Sequence, residues 1–96
     1  MREITKSARA RADLKGIWYY YTRERWDAQA DEYLRQLNVG IARLATNPDV
    51  GRTRNELRPG YRSLSINQHT IYYMLHGATV PIIRVLHSRM DPARHL

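Results

Sequence analysis

The chain has 96 residues, 43% hydrophobic and 26% charged, a composition that suits one globular domain over residues 1–96 and excludes a disordered or collagen-like chain. It has no cysteine, which excludes disulfides and thiolate zinc sites, and no stretch of the roughly 20 apolar residues that a membrane helix needs, so we expect a cytoplasmic protein without a membrane partner. Sixteen Lys and Arg against nine Asp and Glu give a formal net charge of +7, which favours acidic partners.

The first half of the chain has the apolar spacing of two helices. Ile4, between Glu3 and Thr5, suits a short edge strand before them. The first helical stripe starts near Ser7 and consists of Ala10, Leu14, Ile17, Trp18 and Tyr21. The second follows Asp27, a suitable N-cap, and runs to the Asn47-Pro48 stop through Ala30, Tyr33, Leu34, Leu37, Ile41, Leu44 and Ala45. The short connection at Thr22–Trp26 predicts an antiparallel helical hairpin.

The second half changes to the two-residue period of strands. Residues 49–60 have no period and several Arg, Gly and Pro, so we predict a basic loop there. Three strands follow, at Leu64–Ile66, Ile71–Leu75 and Val80–Leu86, with turns at Asn67-Gln68 and Gly77-Ala78. This order predicts an α+β fold, β-α-α-β-β-β, with the N-terminal antiparallel helical hairpin packed on one face of a small antiparallel β-sheet. The other face is expected to be open and to serve as a groove.

Neither a metal site nor a serine triad has its usual sequence pattern. The histidines, at positions 69, 76, 87 and 95, lack metal-ligand spacing, so we expect no metal and no cofactor. Ser63, His87 and Asp91 have the residue types of a serine triad, but no Gly-x-Ser-x-Gly elbow exposes the serine.

Two features bear on nucleic acid. The run Trp18–Tyr21 has four successive aromatic residues, so one helix cannot bury them all. With Arg23 and Arg25 they could stack on bases; the alternative is core packing of Trp18 and Tyr21, with Tyr19 or Tyr20 at a protein interface. The basic residues are spread from Arg2 to Arg94 without a helix-turn-helix or zinc-finger pattern, so we expect no sequence-specific DNA binding by this chain alone.

Several segments resemble the ParE toxins of bacterial type II toxin-antitoxin systems. They are Glu56–Leu64 (ELRPGYRSL), His69–Tyr73 (HTIYY) and Arg84–Leu96 (RVLHSRMDPARHL), with Asn47-Pro48 and Gly51 closing the second helix. The resemblance covers essentially the whole chain and implies the fold of the wider RelE/ParE superfamily. It also implies two partners: a ParD-like antitoxin whose C-terminal segment wraps the toxin, and DNA gyrase, which members with known targets poison so that cleaved DNA persists.

The same superfamily leaves a ribosome-dependent endoribonuclease that cuts messenger RNA as the alternative. In that case Glu56 and His87 would supply acid and base, and Arg62 and Arg84 would converge on one phosphate. The same arginines could instead pair with carboxylates such as Glu56 or Asp91 on the sheet. The chain also departs from the nuclease pattern, since Ser88, and not Tyr or Lys, follows His87.

We therefore predict a non-enzymatic toxin that binds gyrase and is neutralised by an antitoxin. The interaction surface is predicted to comprise Arg58, Arg62, Arg84, His87, Arg89 and Arg94. An inactive relative retained as an interaction module is a third hypothesis, which a lack of growth arrest on induction would favour.

Overall fold

The computed structural model describes residues 1–24 and 27–96, without the side chains of Glu24 and Asp27, and it confirms the α+β fold. Strand β1 (Glu3–Lys6) precedes two long helices, α1 (Ala8–Glu24) and α2 (Asp27–Arg43). Four strands and a short helix follow: β2 (Arg52–Thr53), β3 (Arg62–Ile66), β4 (His69–Tyr73), β5 (Thr79–His87) and α3 (Pro92–His95). No helix within the described ranges is long and apolar enough to cross a membrane.

The five strands form one sheet in the order β1-β5-β4-β3-β2. The predicted strands β3, β4 and β5 form the expected antiparallel meander. Asn67, in the two-residue turn between β3 and β4, has a φ of 54°, as tight hairpin turns require. The sheet is mixed and not wholly antiparallel, because β1 pairs with β5 in parallel, with Ile4 opposite Val80. The chain between these two strands runs through the helical hairpin and β2 to β4, which is far longer than the crossover of about a dozen residues that parallel pairing needs.

The helices pack on one face of this sheet and enclose the core. The core comprises the predicted apolar stripes and the alternate residues of the strands: Ala10, Ile17, Tyr21, Ala30, Leu37, Ile41, Leu44, Ile71, Tyr73, Val80, Ile82 and Val85. Trp18 is an exception, since 36% of its surface is exposed. Its indole N–H donates a hydrogen bond to Asp31 Oδ1 on α2 at 3.0 Å, so it joins the two helices from outside the core.

The helix ends differ from the prediction. α1 continues through Thr22 to Glu24, where a connection was expected, while Arg25 and Trp26 lie outside the described residues. The capping role predicted for the Asp27 side chain also lies outside them. α2 ends at Arg43, before the Asn47-Pro48 stop. At the start of α1, Ser7 Oγ accepts a hydrogen bond from the Ala10 N–H at 2.9 Å and so caps the helix.

The loop predicted over residues 49–60 contains short regular structure. Pro48–Val50 forms a 3₁₀ turn, and β2 pairs with β3. A two-residue strand is too short to produce a visible period, so it is defined by its pairing with β3 and not by its own sequence.

The sheet face away from the helices is not an open groove at its centre. Thr70, Tyr72 and Leu86 point to that face by strand alternation, and all three are buried. The Arg54 guanidinium lies 5.7 Å from the centroid of the Tyr72 ring. The expectation of an open face was wrong here: these residues are buried, and Arg54 of the loop after β2 lies over Tyr72.

Candidate functional site

A groove of about 390 Å³ lies between α1 and the end of β5. Ile17 and Tyr20 line it from α1, Leu86 and His87 from β5, and Met90 from the turn that follows. Tyr20 is 60% exposed, as expected when four successive aromatic residues share one helix. The groove is therefore an apolar surface with an exposed aromatic side chain at its rim.

A polar cluster of two histidines and a tyrosine closes one end of the groove. The Tyr33 hydroxyl lies 2.6 Å from His69 Nδ1, and the Gln68 backbone N–H donates to the Tyr33 oxygen at 3.2 Å. The rings of His69 and His87 meet edge to face, with centroids 5.2 Å apart. The Arg89 backbone N–H donates to His87 Nδ1 at 3.1 Å.

Burial sets the protonation of this cluster. It lowers the pKa of His69 to about 4, with a further contribution from His87, and it raises the pKa of Tyr33 to about 12. At pH 7 both groups are neutral, so the hydrogen bond between the Tyr33 hydroxyl and His69 Nδ1 joins two uncharged side chains. The hydrogen bond ties α2 to β4, and burial, by lowering the pKa of His69, leaves this side chain a poor proton donor at neutral pH.

Arg84 joins three elements beside the groove. Its Nε and Nη2 lie 2.7 and 2.9 Å from the Asp13 carboxylate oxygens on α1, and its Nη1 donates to the carbonyl of His95 on α3 at 2.6 Å. The Val85 N–H also donates to Asp13, at 2.9 Å, because β1 pairs with β5 only as far as Ile82. Hydrogen bonding to Asp13 raises the pKa of Arg84.

Arg62 has a different role. Its Nη2 donates to the carbonyls of Asp49 and Gly51 at 3.3 and 3.1 Å, and so it holds the 3₁₀ turn after α2. The strand register places Arg62 and Arg84 on opposite faces of the sheet. The structure therefore does not bring them to one phosphate, as the ribonuclease alternative expected.

The remaining predicted residues are on the surface. Glu56 is exposed and pairs with Arg54, Nε to Oε2 2.8 Å, a hydrogen bond that lowers the pKa of Glu56. Arg58 and Arg89 are exposed, and their side chains have no partner within residues 1–24 and 27–96. Arg94 Nε is 4.0 Å from an Asp91 oxygen. The described residues include no group of three His, Asp or Glu that could hold a metal ion.

Asp13 and His69 organise the site although neither is among the predicted site residues. His69 lies in β4, and the two-residue period of that strand already accounts for its burial, so the sequence carries no separate signal of a role in the site. Asp13 does carry one: it is the lone carboxylate in a helical stretch that otherwise has Arg9, Arg11 and Lys15.

The fold places the chain in a known structural class. It superposes on a solved structure described as "Chromosomal ParDE TA system from P. aeruginosa" with a TM-score of 0.80, covering 91% of this chain and 96% of that one. At 20% sequence identity this likeness is one of fold alone, and the class is that of α+β proteins with a helical hairpin packed on a mixed sheet.

Sequence similarity then defines the family. Residues 4–92 match the family described as "ParE toxin of type II toxin-antitoxin system, parDE", and the chain belongs to it. It is 48% identical over 92 residues to Toxin ParE1 of Mycobacterium tuberculosis, covering 94% of this chain and 93% of that protein. It is 40% identical over 97 residues to Toxin ParE1 of Caulobacter vibrioides, covering 100% and 99%. It is 36% identical over 86 residues to Toxin ParE of Escherichia coli, covering 88% and 84%.

Proposed function

We propose that this ParE-family toxin inhibits DNA gyrase by binding it, without catalysis, and that a ParD-like antitoxin neutralises the toxin in the cytoplasm. The observation that carries the proposal is the match to the ParE family over residues 4–92. Two segments resemble ParE toxins in particular: ELRPGYRSL runs from the loop before β3 into that strand, and the C-terminal segment runs from the end of β5 through α3.

The side-chain contacts favour binding over ribonuclease chemistry. Cleavage of RNA needs an acid, a base and cations that face one phosphate. Here Arg62 and Arg84 lie on opposite faces of the sheet, and each donates to groups within the fold. Glu56 pairs with Arg54, and no contact joins it to His87 within the described ranges.

The groove between α1 and β5 is a suitable site for the antitoxin. An extended acidic segment with apolar residues can fold on binding and bury them in such a groove. Tyr20 offers an exposed aromatic anchor, and aromatic residues are enriched among those that dominate binding energy. The net charge of +7 would speed capture of an acidic partner.

The target surface is proposed to use the exposed arginines of the loop and tail. Of the six predicted interface residues, Arg58, Arg89 and Arg94 present exposed guanidinium groups. The other three predicted residues form hydrogen bonds within the fold: Arg62 with the Asp49 carbonyl, Arg84 with the His95 carbonyl, and His87 with the Arg89 N–H. Their proposed role is to stabilise the backbone beneath that surface.

A supercoiling assay with purified gyrase tests the target, with the antitoxin encoded beside the toxin added in a parallel reaction. We expect inhibition with trapped cleaved DNA, and its loss when the antitoxin is present. A translation reaction with messenger RNA provides the control and should leave the RNA intact. Active gyrase together with cut messenger would refute the proposal in favour of the ribonuclease.

A pair of adjacent tyrosines tests the antitoxin groove. Tyr20 lines the groove, whereas Tyr19 is similarly exposed, at 52%, and does not line it. Tyr20→Ala should weaken antitoxin binding by about tenfold or more, equivalent to roughly 1.4 kcal/mol. Tyr19→Ala should change it little. Equal losses in calorimetric titrations would place the antitoxin elsewhere on α1.

A further inference from the structure

A second cleft, also of about 390 Å³, lies between the first turns of α1 and the C-terminal helix α3. Its lining comes from α1, β5 and α3 and comprises Arg9, Ala12, Asp13, Arg84, Arg94 and His95. Three guanidinium groups that are distant in sequence thus converge on one cavity.

The cleft has an excess of positive charge. Its single carboxylate, Asp13, already accepts hydrogen bonds from Arg84 and from the Val85 N–H. The Arg9 side chain has no partner within residues 1–24 and 27–96. The Arg94 side chain is 83% exposed, and its nearest carboxylate is 4.0 Å away on Asp91. Arg9 is therefore left uncompensated within the described ranges, and Arg94 has only this long, exposed pair.

Arg84 gives the cleft a rigid floor. Only 15% of its side chain is exposed, and Asp13 holds two of its nitrogens while the His95 carbonyl holds the third. A guanidinium has five N–H donors, so these three contacts leave two N–H groups without a partner among the described residues. Because Asp13 fixes the group in advance, a ligand need not order it on binding.

The lining chemistry favours a phosphate over a peptide. A peptide segment gains most of its affinity from apolar anchors, and Ala12 is the sole apolar residue lining this cleft, whereas the groove beside it has Ile17, Leu86 and Met90. A phosphate needs charged donors only, and arginine forks fit its oxygens.

We infer that the cleft between α1 and α3 binds phosphate groups of a nucleic-acid backbone, with Arg9 and Arg94 as the charged contacts and Arg84 as the floor. Such contacts carry no base information, so they need no DNA-recognition motif. The inference rests on the proposed function only for the origin of the nucleic acid, namely the duplex that gyrase holds during cleavage.

The test measures binding of a short fluorescein-labelled DNA duplex to the full chain by anisotropy, at several salt concentrations. The probe variant carries Arg9→Gln and Arg94→Gln together. We expect it to lose at least about tenfold in affinity. The plot of log K against log salt should also become less steep by about two, as for two lost phosphate contacts. The matched control carries Arg43→Gln and Arg52→Gln, two exposed arginines outside the cleft, and has the same net charge. It should retain most of the affinity.

Equal losses in the two double variants would overturn the inference, because net charge alone would then explain binding. A probe variant that binds the duplex normally but loses antitoxin affinity would also overturn it and assign the cleft to an acidic peptide. Loss of duplex binding confined to the probe variant supports the cleft even if the wild-type chain leaves gyrase active. Gyrase that stays active in the presence of the wild-type chain would refute the gyrase target separately.

Discussion

Asp13 joins α1 to β5 beside the candidate site. Its carboxylate accepts hydrogen bonds from Arg84 Nε, Arg84 Nη2 and the Val85 N–H, at 2.7 to 2.9 Å. Removing one partner of such a half-buried pair leaves the other charge without compensation in a poorly solvated place. Breaking the pair should therefore cost more stability than the attraction between the two charges contributes.

We predict that Asp13→Ala lowers the free energy of unfolding by about 2 to 3 kcal/mol, the loss of hydrogen bonds to a charged group plus an unpaired Arg84. Urea denaturation followed by circular dichroism measures it. Glu32→Ala is the control, because its ion pair with Arg35 lies on the exposed side of α2, and it should leave the urea midpoint nearly unchanged. Equal midpoints for both variants would contradict the anchoring role of Asp13.

The low pKa of His69 predicts an acid-sensitive fold. An unfolded chain takes up a proton at this residue near pH 6.5, whereas the folded chain does so only at about 4. The contribution to stability is complete above pH 6.5 and is lost as the pH falls through this window, with a slope of at most about 1.4 kcal/mol per pH unit. Urea midpoints measured across the window should decline in the wild type, and the decline should flatten in His69→Gln. An unchanged slope in the variant would refute this cause.

At the scale of elements, two glycines should respond in opposite ways to alanine. A Cβ on Gly51 would lie 2.5 Å from the Tyr73 hydroxyl and 2.6 Å from the Ser63 carbonyl oxygen. That hydroxyl donates to the Pro48 carbonyl at 2.6 Å and accepts from the Gly51 N–H at 3.0 Å, so the close approach of this turn to β4 excludes a side chain. Gly16, inside α1, has nothing within 4 Å of its virtual Cβ.

We predict that Gly51→Ala destabilises the protein by about 1 to 3 kcal/mol through overpacking. Gly16→Ala should stabilise it by about 0.5 to 1 kcal/mol, because alanine loses less backbone entropy in a helix interior. Thermal denaturation of both variants measures the difference. A higher melting temperature for Gly51→Ala would mean that the 3₁₀ turn can move away from β4.

The elements that the sequence predicted well are those with a long, regular period. Leu37 and Ile41 on α2, and Ile71 and Tyr73 on β4, were predicted from spacing alone and are buried. The parallel partner of β1 was not predictable, because a four-residue strand carries no information on direction. The burial of Tyr72 was missed for a related reason: it depends on packing by a loop that has no period of its own.

The candidate site was predicted less well than the fold. Arg84 was recognised as a charged residue near the tail, but its partner Asp13 lies 71 residues earlier, and only the folded chain brings the two together. Convergence of Arg62 with Arg84 was expected in the ribonuclease alternative, whereas the strand register places them on opposite faces of the sheet. The sequence thus shows the residue type, but the face of the sheet on which a side chain lies can be assigned only when the strand register is known.

For the molecule as a whole, the groove and the basic cleft share one wall. Ala12 and Asp13 line both cavities, with Met90 on the groove side and Arg94 on the cleft side. The residues of the groove all precede Asp91, while α3 contributes only to the cleft. The two binding surfaces should therefore be separable by changes at the tail.

We predict that deleting residues 91–96 reduces toxicity while antitoxin binding largely survives. The deletion removes Arg94, His95 and one hydrogen bond of Arg84, but it leaves the pair of Arg84 with Asp13 and every residue of the groove. Growth after induction measures toxicity, and titration calorimetry with the purified antitoxin measures binding. Thermal denaturation of the truncated chain checks that it remains folded. If toxicity and antitoxin affinity fall together, the tail stabilises the fold and does not form a separate target surface.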